Sequence, residues 1–250
     1  MAASTTSSSS AGTPGFSRAG SPAHVPYEID PTNRFHWYEN HWKRVALQLL
    51  LKHCPASGKT ILDYGCGRGE TLDIYSKSGF TVTGTDTDPE CVRLAGQYGR
   101  SLLLKPEAAV EQFGARSFDI VTCFHVLEHV PCPIKTLGDI SSIARDYALL
   151  AVPNLRQLRW LGTRRIDLSY VNEGHLQAWD HWHFLNLAER YCNLELVEWG
   201  FDATILPGLS EGVAKVFGTR AVIGLETGLF RKLFPFHGIS VMGLFKVRKG

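Results

Sequence analysis

The order of apolar and polar positions predicts alternating helices and strands that begin near residue 27. Apolar residues recur at helical spacing over 42–53, which indicates an amphipathic helix. Short apolar runs at 60–63, Thr81–Asp86 and Phe118–Phe124 are typical of buried strands. A helical segment follows each run, and such alternation predicts right-handed crossovers within a largely parallel sheet.

The rest of the chain continues this pattern. Asp88, Pro89 and Glu90 form a helix start, with the aspartate as N-cap and the proline at the first helical position. A helix after the first strand is predicted to end near residue 78, and further helices are predicted over 89–97, 134–147 and 185–192. Further strands are predicted over 102–104, 148–152, 194–199 and 238–247. The last strand is apolar on both faces, as a central strand must be. One doubly wound α/β sheet is therefore expected, with ligands outside the carboxyl ends of its strands.

Composition divides the chain into a tail and one domain. Residues 1–26 are rich in Ser, Gly, Ala and Pro and contain no acidic residue, so we predict a disordered tail. A transit peptide is the alternative, although Arg18 is the one positive charge there apart from the chain terminus. The remaining residues, 27–250, are expected to form one domain, because a chain of 250 residues with 44% hydrophobic content can build one core.

Charge and cysteine usage narrow the function classes. A formal net charge of +2 provides no strong field for attracting nucleic acid. Six scattered cysteines without a C-x-x-C pair indicate reduced thiols, so we expect a cytoplasmic location. No apolar run approaches the ~18 residues that indicate a membrane span.

The stretch I-L-D-Y-G-C-G-R-G-E at 61–70 joins the first strand to a helix. Glu70 stands where a dinucleotide turn, G-x-G-x-x-G, needs its third glycine, and no G-K-[ST] follows to form a P-loop. The turn instead offers close backbone approach and helix N-terminal amides, which suit a small carboxylate. Asp86 lies 21 positions after Gly65, where a carboxylate can accept hydrogen bonds from ribose hydroxyls. The alternative is that these glycines only form a tight turn.

Three ordered stretches carry a family resemblance: I-L-D-Y-G-C-G-R-G-E, then V-T-G-T-D, then F-D-I-V-T-C-F-H-V-L-E-H-V. They resemble the main motifs of class I S-adenosylmethionine (SAM) methyltransferases, in the small-molecule branch that includes ubiquinone-biosynthesis O-methyltransferases. The resemblance covers residues 61 to about 154 and extends more loosely to the end. It implies a Rossmann-like methyltransferase fold, a mostly parallel seven-stranded sheet with an antiparallel last strand, and SAM as the cofactor.

The resemblance also implies roles for matching positions. It places Asp63, Gly65 and Gly67 at the methionine part of SAM, Asp86 at the ribose, Thr87 beside the adenine, Glu107 at the adenine amino group, and Phe124 and His125 under the methionine and sulfonium. This agrees with the preference of a cationic sulfonium for carboxylates and aromatic faces.

Residues 125–129 read H-x-x-E-H, an inverted zinc-protease motif. The preceding residues are strand-like, and Pro131 and Pro133 prevent a long helix, so we predict that the protease match is accidental. Some quinone O-methyltransferases carry E-x-x-E-H here and use a divalent ion to hold a catechol. His125 replaces the first of those glutamates, so we predict no metal site and expect Glu128 and His129 to fix the turn.

Residues 155–184 are predicted to form a cap over the substrate pocket. Histidine has a pKa near neutrality, so His125, His181 and His183 are the candidates for removing the acceptor's proton. His181 and His183 share a face only if their segment is extended. Arginines alternate with apolar residues over 155–165, which indicates a lid helix, a peripheral membrane contact or an anion site.

The sequence therefore predicts a SAM-dependent methyltransferase that transfers a methyl group to an oxygen of a small-molecule acceptor. One alternative is an RNA or protein acceptor, against which C-F-H-V-L argues because relatives that methylate nucleobase amines carry an N-P-P-Y-type stretch there. Another is a non-catalytic SAM-binding protein. No nucleic-acid partner is expected, and the oligomeric state is open.

Overall fold

The computed structural model describes residues 34–158 and 174–248. Its strands are β1 Thr60–Tyr64, β2 Thr81–Asp86, β3 Arg100–Leu103, β4 Phe118–Phe124, β5 Ala144–Pro153, β6 Leu194–Gly200 and β7 Ser240–Val247. Its α-helices are α1 Arg34–His53, α2 Glu70–Lys77, α3 Pro89–Ala95, α4 Ala109–Phe113, α5 Pro133–Ile143, α6 His181–Tyr191, α7 Leu209–Phe217, α8 Thr219–Leu225 and α9 Arg231–Leu233. Single 3₁₀ turns lie at Pro106–Ala108, Leu127–His129 and Pro235–His237, and a π-helical turn at Glu226–Phe230 joins α8 to α9.

The strands form one seven-stranded sheet in the order β3-β2-β1-β4-β5-β7-β6. β1 pairs in parallel with β2 and β4, whereas β7 runs antiparallel to both β5 and β6. The order reverses between β1 and β4, so a crevice opens outside their carboxyl ends. The predicted doubly wound sheet with an antiparallel last strand is confirmed.

Apolar side chains cover both faces of the sheet. Leu50 of α1 and Tyr75 of α2 pack on one face, around Ile61 of β1. Ile140 of α5 and Phe184 of α6 pack on the other face. Both faces of the sheet are therefore shielded from water, which explains why the sequences of the central strands are continuous apolar runs.

The helix predicted over 134–147 is four residues too long. α5 ends at Ile143, and β5 begins at Ala144 rather than at residue 148. The misleading residues are Arg145 and Asp146, whose charges resemble an exposed helical turn in the sequence. In the fold they start a strand because Asp119 accepts from Arg145 at 2.8 Å, and Asp146 accepts from Lys59 at 3.0 Å.

Other boundaries differ at the two ends of the chain. α1 begins at Arg34 rather than near residue 42, and α6 begins at His181 rather than at residue 185. Helices α7 to α9, between β6 and β7, were not predicted, because their sequence is rich in glycine and lacks a long apolar repeat.

Two predicted regions fall partly or wholly outside the described residues. The tail 1–26 is one, and residues 159–173 of the predicted cap at 155–184 are the other. Within the described ranges, no helix combines the length and hydrophobicity that crossing a membrane requires.

Candidate functional site

The glycine turn between β1 and α2 has a backbone that other residues rarely adopt. Gly65 and Gly67 have φ of 81° and 52°, in the left-handed region. The amides of Gly65 and Cys66 donate to the carbonyl of Thr85 at 2.9 and 2.8 Å, which ties the turn to β2. A Cβ added at Gly67 would meet nothing within 4 Å, so the backbone there faces open space.

That open space is a pocket of about 610 Å³ at the carboxyl ends of the strands. Asp86, the last residue of β2, lines it. The Asp86 carboxylate accepts from the amide of Gly67 at 2.8 Å and from the amide of Asp88 at 3.0 Å. Asp88 in turn caps α3 through the amides of Glu90 and Cys91, as predicted. The carboxylate is thus held rigidly beside the turn, with acceptor capacity left for a ligand.

The wall beyond β2 carries two further predicted residues. Thr87 and Glu107 both line the pocket, the latter from the 3₁₀ turn Pro106–Ala108. The Tyr64 hydroxyl donates to the carbonyl of Pro106 at 2.9 Å and so fixes that turn to β1. Six of the eight predicted cofactor residues therefore lie around one cavity: Gly65, Gly67, Asp86, Thr87, Glu107 and His125.

Asp63 and Phe124 lie beneath this surface and are not among the residues that line the pocket. Asp63 is 2% exposed and accepts from the Thr122 hydroxyl at 2.6 Å. Burial raises the pKa of Asp63 to about 7, against the opposing effects of the Thr122 hydrogen bond and the Lys43 charge. Phe124 is buried against Trp42 of α1, with 5.2 Å between ring centroids. These two residues support the floor of the site in this structure.

His125 lines the pocket directly after β4. Its φ of 54° lies in the left-handed region, which residues with a side chain adopt uncommonly. The ring lies 5.1 Å from Trp42 between centroids, and its Nε2 is 3.3 Å from the Ser240 hydroxyl. His125 therefore occupies the place, at the end of β4, where the family resemblance expects it.

The turn after His125 is a 3₁₀ turn rather than an α-helix, so the histidines of H-x-x-E-H do not share a helical face. Glu128 is 1% exposed, and its Oε1 is 3.5 Å from His125 Nδ1 and 4.0 Å from His129 Nε2. Neither oxygen of Glu128 has a hydrogen-bond partner within the described part of the chain. His175 brings a further imidazole next to His129, with 4.8 Å between ring centroids.

His181 and His183 are not among the residues that line the pocket. His181 is 6% exposed and stacks on Phe236 at 4.2 Å, and burial lowers its pKa. His183 has a side chain that is 79% exposed and bonded to Asp180, the N-cap of α6, at 2.9 Å. Because the segment is helical, the two imidazoles point in different directions. Their proposed catalytic roles stay predictions, and His125 has the better position.

Comparisons with known proteins agree with this arrangement. Residues 35–197, well over half of the chain, match the family described as "Methyltransferase domain".

The chain belongs to this family.

Among curated relatives, the ubiquinone biosynthesis O-methyltransferase of Albidiferax ferrireducens is 36% identical over 116 residues, 44% of this chain and 43% of that protein. The enzyme of the same name from Xylella fastidiosa is 34% identical over 119 residues, 45% of this chain and 48% of the relative. The match thus spans less than half the length of these relatives. It confirms the predicted methyltransferase class for the segment that carries the motifs.

Solved structures extend the agreement in fold to most of the chain. A magnesium protoporphyrin IX methyltransferase from Synechocystis PCC 6803, crystallised with SAM, has a TM-score of 0.59 at 13% identity, covering 89% of this chain and 86% of that one. A Haloferax volcanii methyltransferase complex gives 0.59 at 18% identity, covering 84% and 92%. At such low identities the likeness shows the fold alone.

The pocket of this methyltransferase domain fits the cofactor that its motifs imply. Its volume lies within the range of small-ligand sites, about 300–1,000 Å³. It combines the features that a nucleoside with an amino-acid tail requires: open backbone at Gly67, a fixed carboxylate at Asp86 and a second carboxylate at Glu107. The chemistry of this donor set, and not the volume alone, supports the assignment.

Sequence reasoning missed part of the site. Val126, Lys135 and Asp139 line the pocket, the last two from α5. A helix start after Pro133 was visible in the sequence, but its position opposite β2 depends on the strand order. The approach of His175 to Glu128 was also missed, since 47 residues and a predicted loop separate them. A hydrogen bond from the Leu176 amide to the Glu128 carbonyl, 2.7 Å long, creates that approach.

Proposed function

We propose that this chain is a SAM-dependent methyltransferase that methylates a small-molecule acceptor at oxygen. The observation that carries the proposal is the pocket in which the glycine turn, Asp86 and His125 meet. When bound there, the cofactor supplies a methyl group activated by a sulfonium. The chain's own residues bind, orient and exclude water around it.

We assign binding of the cofactor to residues that line or support the pocket. Asp86 accepts hydrogen bonds from the ribose hydroxyls, and Glu107 accepts one from the adenine amino group. Thr87, which also lines the pocket, is assigned to the side of the adenine. The open backbone at Gly67 admits the methionine part, and the amides at the start of α2 hold its carboxylate. Asp63 supports this turn from below, and Phe124 supports His125 with Trp42.

Transfer itself needs alignment more than acid–base chemistry, because a methyl group passes in line between two atoms. His125 stands at the pocket lining and can accept a proton from an acceptor hydroxyl through Nε2, beside the Ser240 hydroxyl. His181 and His183 stay secondary candidates for that role. The relatives' names, ubiquinone biosynthesis O-methyltransferases, support oxygen as the methylated atom.

Calorimetry with SAM and with its demethylated product S-adenosylhomocysteine tests the binding site. We expect one molecule per chain for either compound, in competition with each other. A protein that binds neither would overturn the proposal. Turnover is then tested with methyl-labelled SAM and catechol-type, carboxylate and RNA acceptors, with the Asp86→Asn variant as a matched control for background transfer.

The same experiment separates the alternatives. Label in RNA or protein rather than in a small molecule would establish the macromolecular acceptor. Cofactor binding without transfer to any acceptor would establish a non-catalytic SAM-binding protein. The small-molecule acceptor is favoured because the pocket opens beside His125, with no basic excess that would attract RNA.

Location and contacts complete the proposal. Each of the six cysteines is a free thiol, which supports a reducing compartment such as the cytoplasm. A peripheral membrane contact through residues 155–165 stays a proposal, and 159–165 lie outside the described residues. Vesicle sedimentation with and without anionic lipid tests it.

A further inference from the structure

A cluster of nitrogen and oxygen donors surrounds the turn after β4, beside the pocket that His125 and His129 line. One donor atom each from Glu128, His129 and His175 lies within 4.8 Å of the others. Two of these residues come from the turn after β4, and His175 comes from the segment before α6. His125 Nδ1 is a further donor, 3.5 Å from Glu128 Oε1.

The carboxylate of Glu128 is the unusual member. It is 1% exposed, and both of its oxygens lack a hydrogen-bond partner within the described residues. A buried carboxylate that loses water without gaining a hydrogen bond is destabilised in its charged form. Such a group is expected to have a cation beside it in the working protein.

The histidine next to it is already prepared as a metal ligand. His129 Nδ1 donates to the carbonyl of Gly174 at 2.9 Å. This hydrogen bond places the proton on Nδ1, so the lone pair of the neutral ring is on Nε2, which faces Glu128. A backbone carbonyl on the far nitrogen is the usual support for a histidine that binds metal.

We propose that Glu128, His129 and His175 bind a metal ion of the zinc type, with His125 as the fourth donor. Zinc–nitrogen and zinc–oxygen bonds are about 2.0–2.2 Å long, so ligand atoms in a tetrahedral site lie roughly 3.3–3.5 Å apart. The observed donor atoms lie within 4.8 Å of one another, so metal binding requires them to approach by up to about 1.5 Å. The Ser240 hydroxyl, 3.3 Å from the other nitrogen of His125, supports that ring from behind.

The donor set indicates which ion fits. Three imidazoles and one carboxylate favour zinc and neighbouring transition metals, whereas magnesium prefers oxygen ligands and water. The replacement of a glutamate by His125, which led us to predict no metal site, therefore changes the class of ion instead. The unpaired carboxylate and the unexpected approach of His175 are the observations that reverse that expectation.

The ion's role rests on the proposed function, but its presence does not. His125 and His129 line the pocket, so the ion would lie at the pocket's edge. With Nδ1 of His125 on the ion, its Nε2 would carry the ring proton, so proton removal by His125 applies to the protein without metal. In the metal-loaded protein a Lewis acid there would favour an acceptor that presents an oxygen anion. Metal binding is measured without cofactor or acceptor, so the two proposals can fail separately.

The test uses the full chain without a polyhistidine tag. After treatment with a chelator, the protein is titrated with zinc chloride and, separately, with magnesium chloride by calorimetry. We expect one zinc per chain, unaffected by millimolar magnesium. Cobalt(II) provides a second readout, because nitrogen-rich four-coordinate cobalt gives a strong visible absorption that the hexahydrated ion lacks.

Two variants identify the ligands. His175→Ala removes a half-buried donor that does not line the pocket, and Glu128→Gln keeps the shape of the buried side chain. Each is expected to weaken zinc binding at least tenfold and to reduce the cobalt absorption. The matched control is His53→Ala, since His53 also contacts a glutamate, Glu198, at 2.6 Å but has Lys52 there as the compensating cation.

The outcomes are distinct. Absence of stoichiometric zinc binding by the unaltered chain, or equal affinity in His175→Ala and the control, would overturn the metal site. Zinc binding by a protein that binds no SAM would refute the proposed function and leave the site standing. If Glu128→Gln fails to fold, His175→Ala alone decides the question.

Discussion

Val126 occupies the space that a side chain at Gly65 would need. A Cβ built at Gly65 would lie 2.3 Å from Val126 Cγ2, well inside van der Waals contact. Gly65 belongs to the turn after β1, and Val126 follows β4, so their contact joins the two strands that flank the crevice. The glycine is therefore required by packing as well as by its φ of 81°.

This relationship predicts a measurable coupling. Gly65→Ala should lower the free energy of unfolding by about 2–4 kcal/mol, because overpacking adds to the left-handed strain. Val126→Ala removes Cγ2 and leaves its Cβ 3.5 Å from the new methyl group. In urea denaturation, the double variant should therefore lose about 1 kcal/mol or more less unfolding free energy than the sum of the two single variants' losses.

Gly67→Ala is the matched control for this cycle. Its φ of 52° imposes similar strain, but a Cβ there meets nothing within 4 Å. Gly67→Ala and Val126→Ala should therefore be additive. Equal coupling at both glycines would show that backbone strain, rather than the contact with Val126, explains the result.

Asp86 is expected to govern affinity for the nucleoside. Asp86→Asn keeps one acceptor for the amide of Gly67 or Asp88 but removes the charge. We expect at least tenfold weaker binding of both SAM and S-adenosylhomocysteine by calorimetry, in equal proportion, because the ribose is common to both. A larger loss for SAM alone would mean that the carboxylate acts on the sulfonium instead.

The control for that variant is Glu90→Gln, on the exposed start of α3. Glu90 pairs with Arg93 at 2.7 Å and does not line the pocket. Its neutralisation changes the net charge by the same amount without removing a ligand contact. Unchanged affinity in Glu90→Gln and reduced affinity in Asp86→Asn would together assign the effect to position 86.

Much of the fold could be predicted because the central strands obey simple rules. β2 and β4 have the bounds predicted from their apolar runs, since both faces of each strand are buried. The start of β5 could not be predicted, because Arg145 is a strand residue only through its pairing with Asp119 across the sheet. Such a contact depends on topology and not on local sequence.

The candidate site shows the same division. The glycine turn and Asp86 are recognisable because backbone geometry and spacing along the chain determine their roles. The histidine cluster could be predicted in part, as H-x-x-E-H is visible, but its completion by His175 depends on the hydrogen bond from the Leu176 amide to the Glu128 carbonyl. Local composition placed His181 and His183 in the predicted site. Both lie in α6, where residues two positions apart point in different directions.

The pH dependence of stability should reveal Asp63. Its folded pKa, raised to about 7 by burial, lies above the ordinary value of 3.8. The folded state therefore binds the proton more tightly, and this contribution to stability is present at low pH and lost as pH rises from about 4 to 7. Asp63→Asn keeps an acceptor for the Thr122 hydroxyl. Relative to the variant, the free energy of unfolding of the unaltered chain should fall by up to about 4 kcal/mol as pH rises over that interval.

Urea denaturation at one-unit steps from pH 4 to pH 8 measures this difference. Asp202, whose pKa burial raises to about 6, lowers stability over part of the same range. It is present in both proteins, so subtraction removes its contribution. Parallel stability curves for the two proteins would show that Asp63 is ionised normally in the fold.

Asn154 joins the end of β5 to the start of β7 and should tolerate no charge. Its Nδ2 donates to the carbonyls of Phe236 and Gly238 at 3.1 and 3.0 Å, and the side chain is buried. Asn154→Asp is nearly isosteric but turns a carboxylate oxygen towards two carbonyl oxygens. We expect a loss of about 2–4 kcal/mol at pH 8, because the oxygen that replaces Nδ2 has no donor, although the other oxygen keeps the Arg156 amide. The two carbonyls raise the folded pKa of the introduced carboxyl above the unfolded value, so the loss should be smaller at pH 4, where protonation restores one donor. Asn154→Ala removes both donors without adding charge, so its loss should not vary with pH, and a pH-independent loss in Asn154→Asp as well would exclude this explanation.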